Sequence, residues 1–145
     1  MSVKMIDVHS KEAVYREATA EGEIHLSRKT VELIREGKVE KGDPIQISTL
    51  AGIMASKITP FIIPLCHPLR IENTRINFVV EDWGLKVTAT VIASEKTGVE
   101  MEALTAAMVA LLNIWDVAKM YEKDENGQYP NTIIQSVRVV RKVKR

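Results

Sequence analysis

The chain has 145 residues, 46% hydrophobic and 27% charged, with a formal net charge of +1. This describes one domain over residues 1–145 with enough length for a real core, and it excludes a disordered chain. A near-zero balance supplies no global field for nucleic acid or membrane, so neither is expected as a partner, and any anion binding must come from local placement.

A single cysteine, Cys66, rules out an intrachain disulfide and fits a reducing cytoplasm. The opening MSVKMIDVHSKEAV holds no apolar run of signal-peptide length. The apolar cluster from Phe61 to Cys66 is interrupted by Pro64 and is too short for a bilayer.

Residues 16–26 alternate, with Ala18, Ala20, Gly22, Ile24 and Leu26 on one side, which predicts a half-buried strand. Ser27 offers an N-cap to a short helix through Val31, Leu33 and Ile34 that stops at Gly37. Asp43-Pro44 starts a second helix whose expected apolar face is Ile47, Leu50, Ala51, Met54, Ala55 and Ile58. Thr59-Pro60 repeats the device, predicting a new helical turn and a change of direction there. Ile76 to Val80 and Leu85 to Ala93 flank Asp82-Trp83-Gly84 as a hairpin. After a long helix, a last strand is expected near Thr132 to Val140. The order β-α-α-β-β-α-β predicts an α+β sandwich with a four-stranded, mainly antiparallel sheet and helices on one face.

The stretch Thr97 to Lys119, TGVEMEALTAAMVALLNIWDVAK, carries the long helix, whose start is framed by Glu100 and Glu102. Val99, Leu104, Ala107, Met108, Leu111 and Trp115 recur at helical spacing. Glu102, Thr105, Asn113, Asp116 and Lys119 fall within one arc of roughly 120°. Glu102 and Asp116 sit roughly 21 Å apart along the axis at about 1.5 Å per residue, too far for one small ligand to touch both. Two antiparallel copies would bring the Glu102 end of one beside the Asp116 end of the other, so an oligomer with a composite site is one reading. An ordinary surface i,i+3 pair of Asp116 and Lys119 is the other.

Several further residues carry chemistry-bearing groups. Lys41 precedes a helix N-terminus, where anions are favoured. Lys57 stands among small and apolar neighbours, and is either a site lysine or one snorkelling to water. His67 is mounted between prolines in IPLCHP and could donate to a phosphate or shuttle a proton. Cys66 beside it forms no nucleophile pair, because adjacent side chains in an extended segment point apart. Glu100 and Glu102 suit the positive end of the helix, and as paired acceptors also suit the guanidine-like edge of a purine or pterin. Asp116 and Lys119 are an acid–base pair in which each sets the other's protonation. Arg16 reads as a triphosphate clamp or an edge-strand charge. The tail VRVVRKVKR, with five basic residues in its last eight, reads as a solvated end. His9, His25, His67 and Cys66 match no zinc spacing, so no protein-held metal is expected.

Three segments, Ala51 to Lys57 (AGIMASK), Ile63 to Leu69 (IPLCHPL) and Thr97 to Thr105 (TGVEMEALT), together resemble the MoaC family, the cyclic pyranopterin monophosphate synthases of molybdenum-cofactor biosynthesis. Asp7-Val8, Arg16-Glu17-Ala18, Lys41-Gly42-Asp43 and Asp116-x-x-Lys119 fit in order. The resemblance implies a ferredoxin-like fold and a cyclised dihydro-GTP substrate. It also implies a homohexamer, a trimer of dimers with active sites at subunit interfaces. It implies Asp116 as catalytic acid/base with Lys119 and Lys41 assisting, Leu65, Cys66, His67, Met101 and Glu102 as substrate contacts, and Lys57 and Arg16 near the phosphates. No tightly bound cofactor is implied, with room for magnesium arriving on the substrate triphosphate. The family's Gly- and Lys-rich C-terminal segment is absent here, and Lys142 or Lys144 is the expected substitute for its charge. Two competing readings are a catalytically inactive nucleotide- or pterin-binding protein of the same fold and a small RNA-binding domain, the latter disfavoured by few aromatics.

Overall fold

The alternating stretch becomes β1 (Val14–His25), with Ala18, Ala20 and Ile24 fully buried and the intervening side chains partly exposed. In the computed structural model, which describes residues 1–145, it is followed by α1 (Arg28–Glu36), α2 (Pro44–Ile62), β2 (Asn73–Glu81), β3 (Gly84–Glu95), α3 (Glu100–Glu122) and β4 (Ile133–Lys144). The strands form one antiparallel sheet in the order β2-β3-β1-β4, the ferredoxin-like arrangement. Val87, Ala89, Val91 and Ala93 of β3 join β1 in a core capped by Ala103, Ala106, Ala107, Ala110, Leu111 and Ile114 of α3. The alanines let helix and sheet approach closely. Gly22 serves the same contact, since a Cβ there would lie 2.8 Å from Leu111 Cδ1 and 3.0 Å from Val137 Cγ2.

Ser27 and Gly37 cap α1 as expected, with Gly37 left-handed at φ 67°. Three expectations change. First, α2 continues through Pro60 without a break. Proline removes the N–H that would meet the Ser56 carbonyl. The Thr59 hydroxyl donates to that carbonyl instead at 3.2 Å, and to Ala55 O at 2.9 Å. Second, the basic tail is β4, an ordered strand paired with β1 as far as Lys144, whose basic side chains stay exposed to solvent. Third, β1 is an interior strand, so Arg16 is not an edge charge.

The face that α2 buries also departs from expectation. Ser48, Gly52, Ala55, Ser56 and Thr59 are buried, whereas Leu50, Met54, Ile58, Phe61 and Ile62 are exposed. Gly52 explains the choice, because a Cβ would lie 3.1 Å from both Ala106 O and Ile76 Cδ1. Small residues bring α2 tightly onto α3, and the large ones are left outside with Met108 and Leu112 of α3. By length and composition alone α2 and α3 would each pass for a membrane span, a property the sequence reading missed. Here α3 packs on β1, β3 and β4, and α2 packs on α3.

Candidate active site

The C-terminal half of α3 assembles the first cluster. Asp116 and Lys119, one turn apart, form an ion pair with Nζ 3.4 Å from Oδ1. Lys41, from the turn before α2, places Nζ 3.3 Å from Asp116 Oδ2 and 3.2 Å from its backbone carbonyl. One carboxylate thus sits between two ammonium groups delivered by different elements. The hydrogen bond from Lys41 first, and that from Lys119 second, hold the Asp116 carboxyl below the usual carboxylate range. Asp116 is exposed, so the pairing sets its protonation and carries little stability. A cavity of about 510 Å³ opens here, lined by Leu112, Asn113, Trp115, Asp116, Lys119 and Tyr129. Trp115 and Tyr129 lie 5.2 Å apart by ring centroid as its aromatic wall.

The sequence gives no sign of what aims Lys41. The Tyr121 hydroxyl, one helical turn beyond Val117, accepts the Glu40 N–H at 2.8 Å and ties the Lys41 turn to α3. Gly42, at φ 129°, then turns the chain into the Asp43 cap of α2. Tyrosine at 121 and glycine at 42 are the positioning residues that spacing arguments miss.

The N-terminal end of α3 assembles a second cluster. Glu102 is 1% exposed, and its Oε1 has no hydrogen-bond partner, nor does the buried Oε1 of Glu100. Burial pushes the Glu102 carboxyl up. The Cys66 thiol donates towards Glu102 Oε2 at 3.7 Å. Burial first, and then the Glu102 charge, push that thiol up to about 11. Lys142 of β4 reaches Glu100 Oε2 at 3.3 Å, so this basic strand does deliver a cation here. Gly98 gives Glu100 room, for a Cβ there would collide with its Oε1. Leu65 and Met101, both more than a third exposed, form apolar wall beside His67 in a cavity of about 570 Å³.

These two clusters use nine of the eleven expected residues: Asp116, Lys119 and Lys41 in the first, and Leu65, Cys66, His67, Glu100, Met101 and Glu102 in the second. Arg16 is buried below the second, donating from Nε to Glu95 O and from Nη2 to Lys96 O, both at 3.3 Å. It holds the loop leading to Thr97 and Gly98. Lys57 lies on the outside of α2, in a separate shallow cavity with Ile53 and Glu72 to Thr74.

Cys66 gives a direct check on the second cluster. A thiol near 11 is almost wholly protonated at neutral pH. Iodoacetamide at pH 7.5 is expected to alkylate native Cys66 about 10²-fold more slowly than the unfolded chain. Glu102→Gln should speed the reaction by removing the charge that opposes the thiolate. Equal rates in folded and unfolded protein would contradict this description of the Cys66–Glu102 contact.

The MoaC family model matches residues 5–144. Proteins named probable cyclic pyranopterin monophosphate synthase share this pattern over nearly their full length. The one from Sulfurisphaera tokodaii is 55% identical over 97% of this chain and 93% of its own. Those of Sulfolobus acidocaldarius and Thermococcus kodakarensis are 52% and 53% identical, covering 97% and 98% of this chain and 98% and 91% of their own. With its acid–lysine cluster, its ferredoxin-like sheet and a match from end to end, the chain belongs to the MoaC family.

Proposed function

We propose that this chain is a single-domain enzyme that converts 3′,8-cyclo-7,8-dihydro-GTP to cyclic pyranopterin monophosphate with release of pyrophosphate, an early step of molybdenum-cofactor biosynthesis. The observation that carries the reading is the Asp116 carboxylate held between Lys41 and Lys119. Opening the purine-derived ring and closing the pterin require repeated proton transfers. An acid kept ionised by two ammonium groups begins as the base, and Lys119 and Lys41 return protons to it or to the substrate. Closing the cyclic phosphate forms a bond from a substrate hydroxyl to the α-phosphorus and breaks the bond to pyrophosphate. The hydroxyl proton goes to the base, and the cations offset the charge that develops on the leaving group. A magnesium ion arriving on the triphosphate is compatible with this. A single free cysteine suits work in a reducing cytoplasm.

In this reading one active site takes its Asp116 cluster from one copy and its Glu102 cluster from another. Along α3, fourteen residues at about 1.5 Å each separate the two by roughly 21 Å within a chain. The exposed Leu50, Met54, Ile58, Phe61, Met108 and Leu112 supply the apolar face that a second copy would cover. A hexamer built as a trimer of dimers fits that requirement. The orphan acceptors of Glu100 and Glu102 then receive N–H groups from the 2-amino-pyrimidinone edge of the substrate.

The test is turnover of the purified protein on the cyclised dihydro-GTP, followed as pyrophosphate release. Stoichiometric pyrophosphate and pterin product support the synthase. Tight binding without turnover would replace it with the non-catalytic binding protein.

A further inference from the structure

Residues 1–13 precede the sheet and form an arm with no helix or strand. The arm nevertheless supplies Lys4, Ile6, Val8 and Lys11 to the wall of the cavity that holds His67 and Glu100. Its long-range polar ties are two. His67 Nε2 lies 2.7 Å from the Ile6 carbonyl, and Lys96 Nζ donates to His9 O at 3.2 Å. Because a carbonyl only accepts, Nε2 carries the proton in the first of these, so the His67 ring acts as a latch on the arm.

The charges around this cavity are lopsided. Its one acid, Glu100, already faces Lys142 at 3.3 Å. Lys4 and Lys11 in the arm enter no ion pair. Arg16, expected near phosphates, is buried and donates from Nε and Nη2 to Glu95 O and Lys96 O, and Lys57 faces a different cavity. Lys4 and Lys11 are therefore the cations that line this cavity, and both come from the arm.

We propose that the arm is a wall of the substrate site and that Lys4 contacts the anionic, phosphate-bearing part of the substrate, with His67 holding the arm in place through Ile6. This rests on the substrate reading above for the identity of the anion. It adds a binding residue from a segment that lies outside the helices and strands.

The probe is inorganic triphosphate, titrated into the full chain, Lys4→Ala and Lys4→Arg. Lys4→Ala is expected to weaken triphosphate binding about three- to tenfold, Lys4→Arg to restore it, and the difference to shrink at high salt. In turnover, Lys4→Ala should raise KM by a similar factor with kcat unchanged. Equal triphosphate affinity in wild type and Lys4→Ala, or no triphosphate binding by wild type, overturns the proposal. Hydrogen exchange reads the latch separately. His67→Ala should speed exchange of the His9 and Lys11 amides, which are now held by Asp7 Oδ1 and Val8 O. Unchanged exchange there removes His67 as the latch. If wild type turns over but Lys4→Ala is indistinguishable from it, the arm proposal fails and the synthase reading stands. If Lys4 governs triphosphate affinity and wild type releases no pyrophosphate, the synthase reading fails and the anion site stands.

Discussion

Asp116→Asn is expected to lower kcat by about 10²- to 10⁴-fold, the range that a positioned acid–base group contributes. The substitution keeps the shape of the side chain and removes its charge. Lys41 and Lys119 then lose the carboxylate they share at 3.3 and 3.4 Å. The fold should be untouched, since Asp116 is exposed and outside the core, and circular dichroism checks this. Substrate affinity should change far less than kcat, because the other contacts lie elsewhere on the substrate. The pH dependence has a definite sign. The lysines hold the folded-state carboxyl below its ordinary range, so the base remains available as pH falls through that range and is lost only below it. Lys41→Ala should move the acid limb of kcat/KM upward, because the Lys41 hydrogen bond that most lowers the carboxyl is gone. A profile that stays in place would show that Asp116 is not the group titrating.

The largest expected loss of stability is at Glu122→Ala. Glu122, at the C-terminus of α3, is 6% exposed. It accepts the Ser27 N–H at 3.1 Å, the Ser27 hydroxyl at 2.7 Å, the Thr132 hydroxyl at 2.7 Å and the Thr30 hydroxyl. One carboxylate thus fastens the N-cap of α1, the end of α3 and the approach to β4. Thr30 and Thr132 are buried too; alanine would leave the Thr132 hydroxyl without its partner and the Thr30 hydroxyl with Ser27 Oγ alone, at 2.9 Å. Bonds to a charged group contribute about 1.5–3 kcal/mol each and are not additive, which puts the net loss at about 3 kcal/mol. For a chain of this length that lowers Tm by roughly 10 °C. At 25 °C kcat should stay within about twofold, because the network touches neither cluster of the site. A Tm within a degree or two of wild type would mean that the donors find water instead.

Much of this architecture can be read from the sequence where local chemistry and tertiary packing agree. Ser27 and Gly37 delimit α1, the alternation from Ala18 to Leu26 marks a buried strand face, and Asp116-x-x-Lys119 is a one-turn pair. The reading departs from the structure where packing chooses against size. In α2 the apolar stripe of Leu50, Met54 and Ile58 looks like a core face, yet Gly52 and Ser56 allow the closer approach to α3 and Ile76. Pro60 looks like a boundary because the rescue of the Ser56 carbonyl by Thr59 depends on a rotamer. The basic tail is solvated as its charge suggests, but that charge hides the pairing of β4 with β1. In the site, no spacing brings Lys41 to Asp116 across seventy-five residues; the family resemblance supplied Lys41's role and the fold supplies the contact. Tyr121 carries no local signal at all, and the arm carries only Asp7-Val8, as part of the family resemblance.

Mixed oligomers test most directly whether the proposed synthase site is shared between copies. Asp116→Asn and Glu102→Gln proteins, each first assayed alone and expected to be strongly impaired, are unfolded together, refolded as a mixture and assayed for pyrophosphate release against wild type treated identically. If the Asp116 cluster of one copy serves the Glu102 cluster of its neighbour, mixed pairs contain one intact site in two. Random pairing then restores about a quarter of wild-type activity. If wild type turns over and the mixture, shown to contain mixed oligomers, releases no more pyrophosphate than the two variants alone, the shared site is contradicted and both clusters must act within one chain.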